Sequence, residues 1–314
     1  HLFLVDTGMW LLSERAIRVL MGRCGWEEEV GAFAGGQAEP CEFYADFALG
    51  LGRKPSRPDA VTAGLTSGVV ALPEPEFLHF GTSRQMIESV SVLQNQELDQ
   101  IQAGNSGGSW HPDQYVQNAR LHRGVHREEN HTLWVENSVI PETWSLSHEH
   151  VLTGIPENAW QLRLEPKTCL DFIPVGERDW CIRFYGIDDS FSGALAAEET
   201  RILGVPVAQW FKRRGLSTDD LGGGPGGGVD IQLAPLFPVL TDDEIGGEFL
   251  EWLTHALPCE SGGNRRRWLE ARRLSARDAQ AEINLDRVYS QRVELRLDAL
   301  EAILRHRKWS VFYR

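Results

Sequence analysis

The chain has 314 residues, of which 42% are hydrophobic and 24% are charged, and its formal net charge is −14. This composition is ordinary for a globular protein, and the length is enough for two domains that each bury a core. Because acidic residues outnumber basic ones, the sequence lacks the positive surface that binds nucleic acid or anionic membranes. No apolar run approaches the length that spans a bilayer. We therefore expect no nucleic-acid partner and no membrane segment.

The five cysteines are scattered along the chain and form no C-x-x-C pair. This pattern disfavours a disulfide framework or a zinc ribbon and indicates a reducing, cytoplasmic location. Cys169 and Cys181 fall in apolar, strand-like segments, which predicts that they pack in a core and are not nucleophiles. His148 and His150 match no zinc motif, so we expect them at polar, outward positions.

The first fifty residues predict a strand, a turn, a helix and a second strand. In chain order these are Leu2–Val5, the turn Asp6–Gly8, a helix capped by Ser13, and the apolar segment Phe43–Leu51. Units of this kind form the crevice of an α/β sheet, where a carboxylate at a strand end can reach a substrate hydroxyl or Mg²⁺. Asp6 and Asp46 are the candidate residues, and a turn or cap role is the more common one for such positions.

A short pattern of apolar, polar and small residues recurs in the middle of the chain. Its copies are Val116–Leu121, Val135–Ile140 and, more loosely, Val151–Ile155. This alignment places Asn118, Asn137 and Thr153 at equivalent positions, 19 and 16 residues apart. A near-regular period of this size is typical of the stacked coils of a parallel β-helix. An ordinary β-sandwich with coincidental similarity is the alternative.

Capping signals for helices lie on both sides of this repeat. The predicted caps are Thr82 with Gln85, Thr241 with Glu244, and Ser275. The last of these begins a long helix that should run toward Leu304. The glycine-rich tract Leu221–Gly228 lacks the Lys and the Ser or Thr of a phosphate-binding loop, so it is interpreted as a solvated linker.

A set of longer motifs runs in order from Val5 to Tyr313. They are VDTGMWLLS (Val5–Ser13), FYADFALGLG (Phe43–Gly52), LHFGTSRQMIES (Leu78–Ser89), WVENSVI (Trp134–Ile140), VLTGIPENAW (Val151–Trp160), CLDFIPVG (Cys169–Gly176), RFYGIDDSFSG (Arg183–Gly193), DIQLAPLFPV (Asp230–Val239), RRLSARDAQAEINLDRVYSQR (Arg272–Arg292) and SVFY (Ser310–Tyr313). Together they resemble the fucose-1-phosphate guanylyltransferase (GDP-fucose pyrophosphorylase) family, which includes the pyrophosphorylase half of bifunctional L-fucokinase/GDP-fucose pyrophosphorylase enzymes.

The resemblance implies a mixed α/β chain with three parts. Residues 1–75 would be the C-terminal part of a nucleotidyltransferase, Rossmann-like α/β domain. Residues 76–235 would be a parallel β-helix with a flanking helix, and residues 236–314 a C-terminal helical segment. A kinase domain in the same polypeptide and self-association are left open.

The resemblance also implies the reaction, in which L-fucose 1-phosphate and GTP give GDP-L-fucose and pyrophosphate, with Mg²⁺ and basic side chains holding the developing charge. Asp6, Thr7 and Gly8 would then contact the sugar, and Asp46 would be a metal or substrate ligand. His79 and Arg84 are expected to cap or pack. Sugar nucleotidyltransferases carry a glycine-rich basic loop near the amino end, which no residue before Asp6 provides, so we expect this chain to be inactive alone.

Two other functions are compatible with a β-helix. One is a non-catalytic scaffold or oligomerisation module, which would need no nucleotide loop. The other is a hexapeptide-type acyltransferase, although such enzymes show a stricter repeat than the irregular spacing here.

Overall fold

The structure is a computed structural model that describes residues 6–73, 78, 80–94, 114–122, 129–221, 228–257 and 262–306. The chain divides into two compact units, His1–Leu78 and His79–Arg314. Three predictions concern residues outside the described ranges: the strand Leu2–Val5, the role of His79, and most of the glycine-rich tract. Across the ranges described, no helix combines the length and the apolar character needed to cross a membrane.

The described residues of the first unit form one α-helix, one small hairpin and three short helical turns, of which the first is Ala34–Gly36. Helix α1 is Glu14–Arg23, and strands β1 (Trp26–Glu27) and β2 (Ala32–Phe33) pair in antiparallel fashion. The predicted N-cap is confirmed, because Ser13 Oγ accepts a hydrogen bond from the Ala16 amide at 3.2 Å. The Rossmann-like domain stays a prediction.

The predicted strand over Phe43–Leu51 is wrong. Phe43–Phe47 forms a π-helical turn, and Ala48–Gly50 continues it as a 3-10 turn. The Glu42 carboxylate caps the first turn by accepting a hydrogen bond from the Ala45 amide at 2.5 Å. A local side-chain cap of this kind favours a helical turn over a strand, even where the apolar composition suits both.

The second unit is organised around a seven-stranded sheet with the order β15-β14-β11-β10-β8-β5-β3. Its strands are β3 Gln114–Gln117, β5 Leu133–Glu136, β8 His150–Thr153, β10 Thr168–Val175, β11 Asp179–Gly186, β14 Phe237–Thr241 and β15 Arg272–Leu274. Three two-stranded sheets accompany it. They are β4 Arg120–Leu121 with β6 Val139–Ile140, β7 Trp144–Ser145 with β9 Leu162–Arg163, and β12 Arg201–Ile202 with β13 Val205–Pro206.

Strands β3, β5, β8 and β10 pair in parallel along one row. Val116 is in register with Val135, Val135 with Leu152, and Leu152 with Leu170, so the repeat is 19, 17 and then 18 residues long. The pairs β4–β6 and β7–β9 are also parallel. The chain therefore passes through successive parallel ladders within each repeat. The parallel β-helix itself stays a prediction.

Left-handed residues follow the strands of this row at equivalent positions. Asn118, Asn137 and Gly154 have φ values of +48°, +50° and +68°. Asparagine and glycine are the residues that tolerate this conformation best. Asn118 Nδ2 also donates to Asn137 Oδ1 at 3.3 Å, which links two neighbouring corners. The recurring asparagine in the sequence thus marks a turn of the chain.

The predicted alignment of the third copy is wrong by one residue. The register pairs Glu136 with Thr153, so Gly154, and not Thr153, is equivalent to Asn137. The Gly154 amide donates to the Glu136 carbonyl at 3.1 Å, as the Asn137 amide does to the Gln117 carbonyl at 3.1 Å. A left-handed corner favours glycine or asparagine, and a side chain at position 154 would also lie 2.2 Å from the Phe172 carbonyl oxygen, so glycine suits this corner.

Parallel pairing ends at β10, within the range 76–235 predicted for the parallel β-helix. The next strand, β11, is antiparallel to β10. Strands β14 and β15 extend the sheet in antiparallel fashion. The sheet is therefore mixed, with a parallel half and an antiparallel half.

Six helices complete the described part of the second unit: α2 Ser83–Gln94, α3 Val207–Arg213, α4 Gly247–Thr254, α5 Gly262–Glu270, α6 Ala276–Ala281 and α7 Leu285–His306. The predicted caps Thr82 and Ser275 accept the expected amide hydrogen bonds, and the Thr241–Glu244 capping box is present. The single helix predicted from Ser275 is wrong, because it is divided into α6 and α7. Asn284 Oδ1 accepts from the Arg287 amide and begins α7.

The inner face of the sheet packs against α3, α4 and α5. Trp210, Phe249 and Trp268 are almost completely buried there, and the Phe184 ring stacks on Trp210 with centroids 5.2 Å apart. Burying each such ring contributes about 2–3 kcal/mol to folding. Helix α2 packs on the outer face instead, where the fully buried Cys169 lies in the same cluster as Ile87. Cys181 is also fully buried, so both cysteines occupy cores as predicted.

His150 corrects the prediction of an outward polar position. It is in register with Leu133 on the inner face of the sheet, and no part of it is exposed. Its Nδ1 donates to the Thr168 carbonyl at 2.8 Å, and its Nε2 accepts from the Ser147 amide at 3.1 Å. Because backbone groups satisfy both ring nitrogens, the imidazole is a structural element of the core beneath the sheet.

Candidate functional site

A row of polar side chains crosses the outer face of the sheet in the second unit. Side chains alternate between the faces of a strand, so the neighbours of each buried core residue point outward together. Register pairing aligns one outward position on five consecutive strands. The members of this polar row are Gln117, Glu136, Thr153, Asp171 and Arg183.

Asp171 is the most buried member of the polar row, with 8% of its surface exposed. Its carboxylate accepts a hydrogen bond from Thr153 Oγ1 at 2.8 Å and lies 3.6 Å from the Arg183 guanidinium. Burial raises the pKa of Asp171, while Arg183 and the hydroxyl donors Thr153 and Tyr185 oppose that rise. The Arg183 Nε is buried and has no hydrogen-bond partner among the described residues.

Helix α7 contacts the other end of the polar row. The Arg292 guanidinium lies 3.7 Å from the Glu136 carboxylate, which also accepts a hydrogen bond from Trp134 Nε1 at 3.3 Å. Gln291 Nε2 donates to the carbonyls of Asn137 and Gly154, the left-handed corners beside the row, at 3.0 and 3.2 Å. Helix α7 is therefore held beside the corners at Asn137 and Gly154 by hydrogen bonds from a side chain to backbone carbonyls.

A cluster of ion pairs attaches helix α2 to the strand ends. Arg84 binds Asp188 through two hydrogen bonds of 2.6 and 2.9 Å and also pairs with Glu149. Lys167 approaches Asp188 at 3.7 Å. The hydrogen bond from Arg84 is the main reason that the pKa of Asp188 is lowered. The expected cap or packing role of Arg84 fits this contact, since Arg84 lies in the first turn of α2.

Two carboxylates and two guanidiniums of the polar row and α7 pair with each other: Asp171 with Arg183, and Glu136 with Arg292. Charged groups that satisfy one another in this way fix the geometry of their surroundings. Side-chain contacts of the row therefore join β8, β10 and β11 to one another, and join β5 to α7.

The sequence-predicted residues Asp6, Thr7 and Gly8 form an exposed turn in the first unit. Asp6 Oδ1 accepts a hydrogen bond from the Gly8 amide at 2.9 Å, and Gly8 has a φ of +75°. A side chain at Gly8 would lie 4.0 Å from the Tyr44 hydroxyl. Trp10 packs edge-on against Phe43 with centroids 4.9 Å apart. The turn thus lies beside the helical turn Phe43–Phe47.

Asp46 lies inside that helical turn and not at the end of a strand, which corrects the prediction. Its carboxylate accepts from the Glu42 amide at 2.9 Å and from Arg57 Nη1 at 3.3 Å. A metal ion bound at Asp46 Oδ1 would replace its contact with Arg57. In the described ranges, no group of three or more His, Cys, Asp or Glu side chains could hold a metal ion. Mg²⁺ at nucleotide sites usually takes one or two protein carboxylates beside the substrate phosphates, so Asp46 as a metal ligand stays a prediction.

A cavity of about 400 Å³ lies near these residues in the first unit and was not predicted. It is lined by Gly50, Gly52, Pro55, Pro58, Asp59, Ala60, Thr62, Ala63 and Leu65. Thr62 Oγ1 donates to the Gly50 carbonyl at 3.0 Å, and a side chain at Gly50 would lie 2.3 Å from that hydroxyl oxygen. Its volume falls in the range of small-molecule pockets. Gly50 and Gly52, which both line it, are the sequence feature that could have marked it.

Comparison with known proteins gives the family. The family model of the fucose pyrophosphorylase domain matches residues 63–242 of the sequence, which is more than half of the chain. The chain belongs to the fucose pyrophosphorylase family. It is also 36% identical over 315 residues to an L-fucokinase/L-fucose-1-P guanylyltransferase from Bacteroides fragilis. That alignment covers 100% of this chain and 32% of the relative, so the chain spans about a third of the relative's length. No solved structure matches.

The fucose pyrophosphorylase match includes one candidate region and leaves out the other. The polar row and the Arg84 cluster lie within residues 63–242. The turn Asp6–Gly8 and Asp46 precede that range, although the alignment with the bacterial relative covers them. Family membership therefore does not by itself assign a role to either aspartate.

Proposed function

We propose that this chain is part of a fucose-1-phosphate guanylyltransferase, which converts L-fucose 1-phosphate and GTP into GDP-L-fucose and pyrophosphate. The supporting observation is the 36% identity, along the whole chain, to a relative whose name carries that activity. In this reaction an oxygen of the sugar phosphate attacks the α-phosphorus of GTP in line, and pyrophosphate leaves. Most of the catalytic effect must come from positioning the two substrates and from holding negative charge.

Within this proposal, Asp6, Thr7 and Gly8 contact the sugar. The turn is exposed, and its geometry is held by the hydrogen bond from the Gly8 amide to Asp6. An exposed carboxylate and a hydroxyl suit the hydroxyl groups of a sugar, which donate and accept hydrogen bonds. The nearby rings of Trp10 and Tyr44 offer an apolar surface to the sugar ring.

The full-length protein provides the test, with pyrophosphate release and GDP-fucose formation as the measurements. We expect both products from L-fucose 1-phosphate and GTP. Absence of GDP-fucose would reject the enzyme proposal and favour the scaffold, while acyl transfer by a trimer would favour the acyltransferase. Magnesium dependence, cytoplasmic location, self-association and a fused kinase domain stay predictions.

Variants of Asp6 separate its charge from its part in the turn. Asp6→Asn keeps an oxygen that can accept from the Gly8 amide, whereas Asp6→Ala removes it. If the carboxylate binds the sugar, both variants should lower kcat/KM at least tenfold with an unchanged Tm. Asp243→Asn, at an exposed position in the second unit, is the control and should retain activity. Full activity of both Asp6 variants would remove Asp6 from the site.

A further inference from the structure

Helix α7 has two apolar sides, and only one of them packs on its own chain. Leu295 is buried, and Gln291 on the same side donates to the carbonyls of the left-handed corners. Because an α-helix turns by about 100° per residue, Leu297 and Leu300 lie on nearly the opposite side. The outward apolar residues are called the α7 stripe, and they are Tyr289, Val293, Leu297, Leu300 and Leu304.

Four of the five members of the α7 stripe are exposed. Tyr289 is 70% exposed, Leu297 and Leu304 are each 58% exposed, and Leu300 is 43% exposed, while Val293 is half-buried. A surface helix ordinarily buries one apolar stripe and presents polar groups on its opposite side. A second apolar stripe on that opposite side is typical of a helix that packs against a partner.

The spacing of the stripe matches the heptad of a coiled coil. In a heptad abcdefg, the apolar residues at a and d form the contact between two helices, and the residues at e and g flank it. Val293 and Leu300 take position d, and Leu297 and Leu304 take position a. Leu295 then takes position f, which points away from a partner helix, and it is indeed buried in its own chain. The contact surface of such a pair therefore faces away from the sheet that α7 packs on.

The two edges of the stripe carry different polar groups. Glu294 and Glu301 occupy the e positions, whereas Tyr289 and Arg296 occupy the g positions. Arg296 Nε donates to Asn118 Oδ1 at 3.0 Å, and a guanidinium has further N–H donors for a second acceptor. One edge therefore accepts hydrogen bonds and is acidic, and the other donates hydrogen bonds and carries a positive charge.

We propose that the α7 stripe is the surface through which two copies of this chain form a parallel two-helix coiled coil. In a parallel pair, each g residue faces the e residue five positions later in the other helix. Arg296 then faces Glu301 of the second copy, and the Tyr289 hydroxyl faces Glu294 of the second copy. In an antiparallel pair e faces e, so glutamates would face glutamates. The charge pattern therefore selects the parallel pair, which closes with twofold symmetry.

The packing of α7 on its own chain favours this association. A short isolated helix must fold as it binds, and helix nucleation is unfavourable. In this protein α7 is already ordered, because Leu295 is buried and Arg287 Nη1 donates to the Asp179 carbonyl at 2.7 Å. Two preformed helices associate without that folding cost. This inference does not depend on the proposed enzymatic function.

The test is sedimentation equilibrium of the full chain at protein concentrations of about 1 to 100 μM. We expect a monomer–dimer equilibrium. Leu300→Lys places a charge from each copy in the contact, so the dissociation constant should rise at least about tenfold with an unchanged Tm. Leu257→Lys, at an exposed leucine outside α7, is the matched control and should leave the dissociation constant unchanged. A monomer at every concentration, or a dimer that Leu300→Lys leaves intact, would overturn the proposal.

Charge exchange tests the direction of the two helices. Glu301→Arg places arginines opposite one another in the parallel pair, so the dissociation constant should rise about threefold to tenfold. Adding Arg296→Glu restores opposite charges and should return the constant to within about twofold of the wild type. Tighter association of Glu301→Arg is the result expected of an antiparallel pair and would refute the parallel one, as would a double variant weaker than Glu301→Arg. Since Glu301 also pairs with Arg305 in its own helix, the Tm of each variant is measured as well.

Discussion

Protonation of His150 should destabilise the second unit at acidic pH. Nε2 can accept from the Ser147 amide only as a neutral ring, because the proton on Nδ1 is already donated to the Thr168 carbonyl. A second ring proton would point at the Ser147 N–H and break that bond. Burial accordingly lowers the pKa of His150 to about 4, against the opposing effect of the Thr168 carbonyl.

The size and sign of the effect follow from linkage. In the unfolded chain the His150 ring takes up a proton near pH 6.5, whereas in the folded protein it stays neutral until about pH 4. The contribution to stability is thus complete above pH 6.5 and is lost as the pH falls toward 4. The difference between the two pKa values corresponds to about 3 kcal/mol of unfolding free energy.

Urea denaturation of the wild type and of His150→Gln between pH 4 and pH 7.5 measures this contribution. His150→Gln should be about 2–3 kcal/mol less stable at pH 7.5, because a buried backbone partner is lost. The difference in unfolding free energy between the two proteins should fall toward zero by pH 4, because only the wild type carries the titrating ring. Leu152→Ala creates a cavity in the same strand, so its unfolding free energy should be lower than that of the wild type by the same amount at every pH. Parallel curves for His150→Gln as well, or an NMR titration of His150 near pH 6.5, would refute the reasoning.

Urea denaturation of two other variants, each with a control, tests the left-handed corner at Gly154 and the buried Arg214. Gly154 has a φ of +68°, and Gly154→Ala places a Cβ 2.2 Å from the Phe172 carbonyl oxygen, so it should lower the unfolding free energy by more than about 3 kcal/mol. The control Gly204→Ala, at φ +74° with no atom near its Cβ, should cost only about 1–2 kcal/mol. Equal costs would contradict the clash. The buried Arg214 guanidinium donates to the carbonyls of Trp252, Leu253 and His255 at the end of α4, so Arg214→Met should lower the unfolding free energy by about 3 kcal/mol. The control Arg213→Met loses one bond, to the Ala256 carbonyl, and should cost about 1 kcal/mol. Equal costs would contradict the role of Arg214 as a cap of α4.

The features that the sequence predicted correctly depend on neighbouring residues. Ser13, Thr82 and Ser275 cap helices as expected, because a cap needs only its own side chain and an amide three residues later. The left-handed asparagines were visible as a recurring residue. A second set of left-handed corners precedes β5, β8 and β10 at Thr132, Glu149 and Lys167. These residue types do not favour that conformation, so no local signal marked them.

The first unit was harder to predict, because its contacts join segments that are distant in the sequence. The Glu39 amide donates to the Cys24 carbonyl at 2.8 Å, because the chain after α1 turns back on itself. Asp46 looked like a strand-end ligand because Phe43–Leu51 is apolar. Its actual partner, Arg57, lies 11 residues further along the chain. Neither contact follows from periodicity, which describes a single element and not the meeting of two elements.

The polar row depends on strand register, which the sequence alignment gave correctly for the first two copies and wrongly for the third. That alignment paired Val135 with Val151 and so placed Leu152 beside Glu136, whereas the structure places Thr153 there. Since side chains alternate between the faces of a strand, a shift of one residue exchanges the core for the surface. Leu152 would then lie in the polar row, and Thr153 could not donate to Asp171. The left-handed glycine at 154 suits the observed register, in which Thr153 and Glu136 lie side by side in the row.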